Sequence, residues 1–312
     1  MRGLFNPPVM SRFALSFRLL CVFGFGAVAT PGTLLAQRER LIVRLESFAP
    51  TTAELPLGRR SGDDVDQRSL QLSLANRLIR DKGNTMFLVG AQYRETRAAL
   101  PALQTVGGRP APALESRLRV VTADLWMLRT LNATYTVIAV ARPGLYGDLD
   151  AIGDQWRLEG AVFVDRIMSP KATVGLGMSY ASNFGRVLAV PVVHVVARPK
   201  RRLLFDALLP SRADLWWMPR KGLDLGIGTS LTGAQYGLSN AAAQPLQATA
   251  LQLANATVGP QLRWTPRGKW QLTADAGTTV LRRLQYARGA ATLAEMTPDN
   301  VFFGRLGAQW LF

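Results

Sequence analysis

Few residues in this chain are of a kind that does chemistry at neutral pH. It holds one histidine, His194, and one cysteine, Cys21. His194 lies in Val190-Pro-Val-Val-His-Val-Val196, apolar on both sides. A histidine base needs a nucleophile or an acid placed on its own face. Leu188, Val190, Val192 and Val196, which share its parity in an extended chain, supply neither. The expectation is therefore a neutral histidine facing inward and paired with a neighbouring strand, in a chain that is not an enzyme. With one His, a transition-metal site would have to be built mainly from carboxylates, which is uncommon. Gly175-Leu-Gly177 and Gly226-Ile-Gly228 imitate part of a phosphate loop, but each continues as a strand and no Gly-Lys-Ser/Thr follows. The sequence assigns no catalytic residue, no metal and no cofactor.

The carboxylates and arginines carry more information. If the alternating runs of the chain are strands, Arg44, Glu46, Arg157, Glu159, Asp165, Asp206, Asp214, Asp224, Asp275, Arg283 and Arg305 all fall on the polar parity. Asp165, Asp206, Asp214 and Asp224 then gather toward one half of that face on successive strands. Two readings are open. The charges form Asp–Arg pairs that fill a plugged interior, or they form a layer lining a passage, where rings of charge set ion preference.

The elements that must position these groups show most clearly at the C-terminus. In Val301-Phe-Phe-Gly-Arg-Leu-Gly-Ala-Gln-Trp-Leu-Phe312, one parity holds Phe302, Gly304, Leu306, Ala308, Trp310 and Phe312, and the other holds Arg305, Gly307 and Gln309. This is the apolar-out, polar-in pattern of a lipid-facing strand, with Trp310 and Phe312 as the terminal barrel signal. The same period of two runs through Lys171 to Ser182, Leu223 to Thr232 and Trp270 to Arg283.

Short breaks occur at Arg80 to Asn84, Arg129 to Asn132, Ser169 to Lys171, Arg198 to Arg202, Pro219 to Gly222 and Pro266 to Lys269. The breaks between them are mostly longer: Thr51 to Asp66, Arg97 to Ala113, Pro143 to Gln155, Gln235 to Gln247 and Gly289 to Asn300. Two are short, at Ser182 to Arg186 and around Pro210. Such alternation predicts an all-β, antiparallel up-and-down transmembrane barrel with short periplasmic turns and longer extracellular loops. The count is about 14 strands. About 12 is the alternative, since the runs Leu203 to Leu209 and Ala213 to Met218 could be one bent hairpin. Trp126, Trp216, Trp217, Trp264, Trp270 and Trp310 all fall near the short-turn end, the position of a periplasmic aromatic girdle.

At the N-terminus, Arg2, Arg12 and Arg18 precede the apolar run Leu19 to Ala29, and Ala36 offers a cleavage site before Gln37. Residues 1–36 read as a secretory signal peptide and 37–312 as the outer-membrane barrel. Pro31 and the charged Gln37-Arg-Glu-Arg40 argue against a spanning helix. Cys21 lies inside the signal, so the mature chain has neither disulfides nor thiol chemistry. Without the three signal arginines the net charge falls from +16 to +13. These charges are spread over turns and loops rather than gathered on one face, which favours phosphate-bearing lipid headgroups over nucleic acid as a partner.

Gly175-Leu-Gly-Met-Ser-Tyr180, Phe184-Gly185, Pro191-Val192, Leu203-Leu-Phe-Asp-Ala-Leu-Leu-Pro210 and Leu231-Thr-Gly-Ala-Gln-Tyr236 resemble an uncharacterised family of bacterial outer-membrane β-barrel proteins, classed only as a domain of unknown function. The resemblance spans Ile152 to Gly237, implies the barrel fold and carries no site residues. Barrels of about eight strands are filled by side chains and those of about 16 to 18 hold aqueous channels, so about 14 lies between. The expectation is a passive channel or transporter for a small solute in the outer membrane of a Gram-negative cell. It would contact outer-membrane lipids and reach the barrel-assembly machinery through its C-terminal strand. The alternative is a non-transporting barrel acting as adhesin or scaffold through its loops, and the third reading is a barrel enzyme acting on lipid.

Overall fold

The computed structural model describes residues 40–311 apart from positions 52, 56–58, 61–64, 81–83, 101–102, 105–109, 112–113, 150–154, 182–187, 239–247, 267–268 and 290. The predicted signal peptide, residues 37–39 and Phe312 lie outside the described residues. Fourteen strands close into one antiparallel barrel. They are β1 (Arg40–Thr51), β2 (Val65–Arg80), β3 (Thr85–Leu100), β4 (Leu114–Thr130), β5 (Tyr135–Gly147), β6 (Trp156–Ser169) and β7 (Ala172–Ala181). The second half comprises β8 (Leu188–Lys200), β9 (Leu203–Leu209), β10 (Arg212–Arg220), β11 (Leu223–Gly237), β12 (Ala250–Trp264), β13 (Trp270–Arg288) and β14 (Phe302–Leu311). Each pairs with its neighbours in chain order. The barrel closes where β1 pairs with β14, from Arg40↔Leu311 to Phe48↔Phe303.

Period-two patterning drives this closure. The outward parity presents Leu45, Leu74, Leu158, Val162, Leu176, Ile227, Leu306 and Phe302, with Leu176 65% and Phe302 78% exposed. In water such a surface would aggregate, whereas in a bilayer it matches its solvent. Among the described residues no helix is long and apolar enough to cross a membrane; the strands span it, and closing the sheet leaves no unpaired edge in lipid.

The runs around Pro210 form two separate strands, β9 and β10, which settles the strand count at fourteen. At the short-turn end the tightest connections are the two-residue turns 170–171, 201–202 and 221–222. Gly222 in the last has φ +79, and Thr265 N–H donates to its carbonyl at 2.7 Å. A β carbon there would meet Thr265 O at 2.5 Å, so only glycine fits.

Several strands run further than the breaks in the sequence suggest. β5 continues through Pro143 to Gly147. Its ladder with β4 passes from Thr122↔Gly144 to Leu125↔Ala141, skipping the proline that has no N–H to give. The predicted loop from Gly289 to Asn300 contains the strand Ala291–Pro298, which continues the sheet beside the upper part of β13. The short strand Ala53–Leu55 pairs with its end at Thr297 and Pro298.

Candidate functional site in the barrel lumen

The inward parity builds the lumen. Toward the short-turn end, Asp165 and His194 reach each other across β7, a strand whose facing position, Gly175, has no side chain to block them. His194 Nδ1 lies 2.9 Å from Asp165 Oδ1 and 3.1 Å from Oδ2, and its ring meets Phe163 edge-on at 5.7 Å. Ser179, on β7, donates to Val190 O and takes no part in this pair. On the next strands Arg212 bridges two carboxylates, donating to Asp214 Oδ2 at 2.9 Å and to both Asp206 oxygens at 3.3 Å. Gln261 adds a bond to Asp214 at 3.1 Å. Arg263 faces Asp224 at 3.8 Å and stacks over Trp216 at 4.0 Å.

At mid-height Arg305 donates to Glu46 across the β1–β14 seam and to Ser230 Oγ at 3.4 Å. Ser230 and Thr257 lie 2.8 Å apart, and Ser69 and Thr96 3.0 Å apart. Arg44 is buried close by, and Asp275 is half-buried on β13. On the opposite wall Arg142 donates to Asp124 and stands 3.7 Å from Glu159. These charges come in opposed pairs because a buried charge without a counter-charge is costly, by several kcal/mol on the order of the desolvation penalty.

Toward the loop end the lumen changes character. Ala98, Leu118, Val120, Tyr146, Ala234, Tyr236, Leu251, Leu253, Leu284, Tyr286 and Met296 form one buried cluster drawn from both sides of the barrel. Gly147 on β5 meets Gly237 on β11 in a parallel bridge between strands six positions apart around the barrel. A β carbon on Gly147 would meet Gly237 O at 2.5 Å, so glycine permits the contact. Arg94 donates to Tyr236 Oη at 3.5 Å across the same space. Among the described residues, this cluster and the Gly147–Gly237 bridge bring the two sides of the barrel together toward the loop end.

The charges expected on the inward face differ in burial. Arg44, Glu159, Asp165, Asp206, Asp214, Asp224 and Arg305 are buried, and Glu46, Arg157 and Asp275 are half-buried. Arg283 is a correction. Between Thr279 and Leu281 the β12–β13 register slips by one residue at Val280, a β-bulge that reverses the parity beyond it. Arg282 therefore points inward and is buried, while the Arg283 side chain is 53% exposed and pairs with Glu295 at 2.6 Å.

The girdle is corrected as well. Trp217, Trp264, Trp270 and Trp310 are exposed on the outer face, with Trp270 and Trp310 stacked at 5.3 Å. Trp216 is 4% exposed beneath Arg263, and Trp126 shares the inward parity of Asp124 and Leu128. Period two sends consecutive tryptophans to opposite faces, so Trp216 and Trp217 could not both join a belt. Sequence reasoning also passed over Asp124, Arg142, Arg212 and Arg263, all of which the same alternation identifies.

The outer wall bears two further features. A cavity of about 920 Å³ runs across β11 to β14 and β1 to β3, where small outward residues Ser47, Ala274, Ala276 and Gly304 sit among Leu45, Leu262 and Leu306, with Arg68, Glu95 and Arg97 also in its lining. Near the loop end Arg68, Arg97 and Arg117 stand in direct register on β2, β3 and β4, all exposed. Arg68 pairs with Asp66 and Arg97 with Glu95, each at 3.1 Å.

A closed fourteen-strand barrel with a lipid-facing outer surface and a polar wall within defines an outer-membrane β-barrel. Residues 107–302 match the family described as Domain of unknown function (DUF6268), and the chain belongs to it. No curated protein matches the sequence. Among solved structures, the chain is similar to the COG4313 outer membrane channel from Pseudomonas putida F1, at 13% identity and a TM-score of 0.46 over 88% of this chain and 96% of that one. It is also similar to the P. putida toluene transporter TodX, at 9% identity and 0.46 over 91% and 93%. The translocator domain of the autotransporter NalP from Neisseria meningitidis matches at 8% identity and 0.38 over 88% and 89%. Likenesses of this size concern the fold alone.

Proposed function

We propose that this barrel is an outer-membrane channel for a small solute, entered from the short-turn end and gated at the loop end by the apolar cluster. The observation that supports it most is the charged wall. Replacing buried ion pairs by packed apolar side chains is often neutral or stabilising, so a barrel that merely scaffolds its loops has no energetic reason to hold Asp165, Asp206, Asp214, Asp224, Glu46 and Glu159 inside. A passage for water and solute supplies that reason, and an apolar constriction closes such a passage by dewetting.

Planar-bilayer conductance tests the reading directly. Wild-type protein should conduct in brief openings, and Leu284→Ser, which puts a hydroxyl into the cap, should raise the open fraction several-fold. A folded barrel that stays electrically silent in both forms and excludes small solutes in liposome swelling would overturn the proposal.

Delivery follows from the two ends of the chain. Residues 1–36 act as the export signal, and the C-terminal strand ending in Trp310 and Phe312 is presented to the barrel-assembly machinery. N-terminal sequencing of protein recovered from outer membranes should begin at Gln37. The Arg68, Arg97 and Arg117 row, exposed on the outer wall, suits contact with lipid phosphates.

A further inference from the structure

Arg282 breaks the pattern of the lumen. It is 1% exposed, yet its Nε, Nη1 and Nη2 all lack a hydrogen-bond partner, and no carboxylate lies within ion-pair distance among the described residues. Its guanidinium lies over the face of Phe48, 5.3 Å from Cζ. Elsewhere Arg142, Arg212, Arg263 and Arg305, equally buried, each meet an Asp or Glu. An arginine cannot shed its proton to escape the cost of burial, so a guanidinium held in this way calls for an anion that the described residues do not provide.

We propose that Arg282 is the anchor of a ligand site for a small organic monoanion, a carboxylate carrying a short apolar body. The charge follows from the count. One guanidinium neutralises one carboxylate through a two-pronged pair of hydrogen bonds, while a phosphate dianion would bring a second charge that this one guanidinium does not match.

The body follows from what lies around the guanidinium. Asn255 stands in register with Arg282, and its amide donates to Gln67 Oε1 at 3.4 Å, which makes a polar edge. One pleat nearer the loop end, Leu253 and Leu284 face each other, followed by Leu251 and Tyr286. Phe48 packs against Phe303 at 6.1 Å and makes the other side. A hydrocarbon would leave the guanidinium unpaired, and an inorganic anion would offer nothing to the neighbouring apolar side chains. The site names a substrate class for the proposed channel, but binding there can be measured without transport.

Calorimetric titration of the full chain in detergent micelles tests it, with benzoate and hexanoate as probes and acetate and benzyl alcohol as partial mimics. Folding of each variant is checked by heat-modifiable gel mobility. Wild type should bind at least one of the two acids and gain thermal stability from it, with acetate and benzyl alcohol at least tenfold weaker. Arg282→Met should lose at least tenfold in affinity for the acid. It should also unfold at a higher temperature than ligand-free wild type, since it removes an unpaired buried charge, whereas a purely structural arginine would give a less stable variant. Equal binding to wild type and Arg282→Met, or no binding of either acid to folded wild type, would overturn the site. A barrel that binds the acid but conducts nothing keeps the site and loses the channel. A barrel that conducts but binds neither acid keeps the channel and loses the site.

Discussion

Arg212 touches two buried carboxylates, so its removal leaves Asp206 and Asp214 facing each other with no cation between them. The expected cost of Arg212→Met is about 3–5 kcal/mol, the range for breaking a buried pair on one side only. Urea unfolding in lipid vesicles measures it. Adding Asp206→Asn and Asp214→Asn should recover most of the loss, since the repulsion goes with the charges. Asp206 and Asp214 are legible in the sequence as inward residues, and the same parity places Arg212 beside Asp214 on that face. Alternation says which side a residue faces. Which cation meets which acid depends on the stagger between strands, and local pattern does not encode that stagger.

At the scale of single strands, β13 shows both the strength of period-two reasoning and the point where it fails. From Gln271 to Thr279 every second residue faces the lumen as the sequence predicts, and then Val280 adds one residue to the ladder. No turn residue or proline marks this bulge, so the inward position passed from Arg283 to Arg282 without a signal in the sequence. Deleting Val280 should leave Arg282 inward and the barrel able to fold. Deleting Leu176, in a regular part of β7, should send every later residue of that strand to the wrong face and abolish folding. Heat-modifiable mobility on gels distinguishes the two outcomes. Pro143 is the complementary case, a residue that reads as the start of a loop yet sits within β5, because the barrel needs no N–H from it there.

For the molecule as a whole, the lipid boundary is the property most open to measurement. Trp217, Trp264, Trp270 and Trp310 are exposed on the outer face near the short turns, while Trp126 and Trp216 belong to the inner face. Tryptophan fluorescence in vesicles of lipids brominated near the headgroup should be strongly quenched. Replacing the four outward tryptophans by Phe should remove most of that quenching. Trp126→Phe or Trp216→Phe should leave it nearly unchanged. Equal effects from the two sets would mean that the inward tryptophans also reach lipid.

By itself the sequence determined the strand period, the alternation of short and long connections and the parity of most charges, because these are consequences of neighbours two residues apart and of turn chemistry. It therefore determined a lipid-facing barrel of about fourteen strands with a polar interior. Only the tertiary structure decided which charges meet, that apolar side chains from both sides come together toward the loop end, and that Arg282 finds no counter-charge among the described residues. Each of these depends on distances across a lumen, between residues as far apart in the chain as Gln67 and Asn255 or Arg94 and Tyr236, which are set only when the last strand closes on the first.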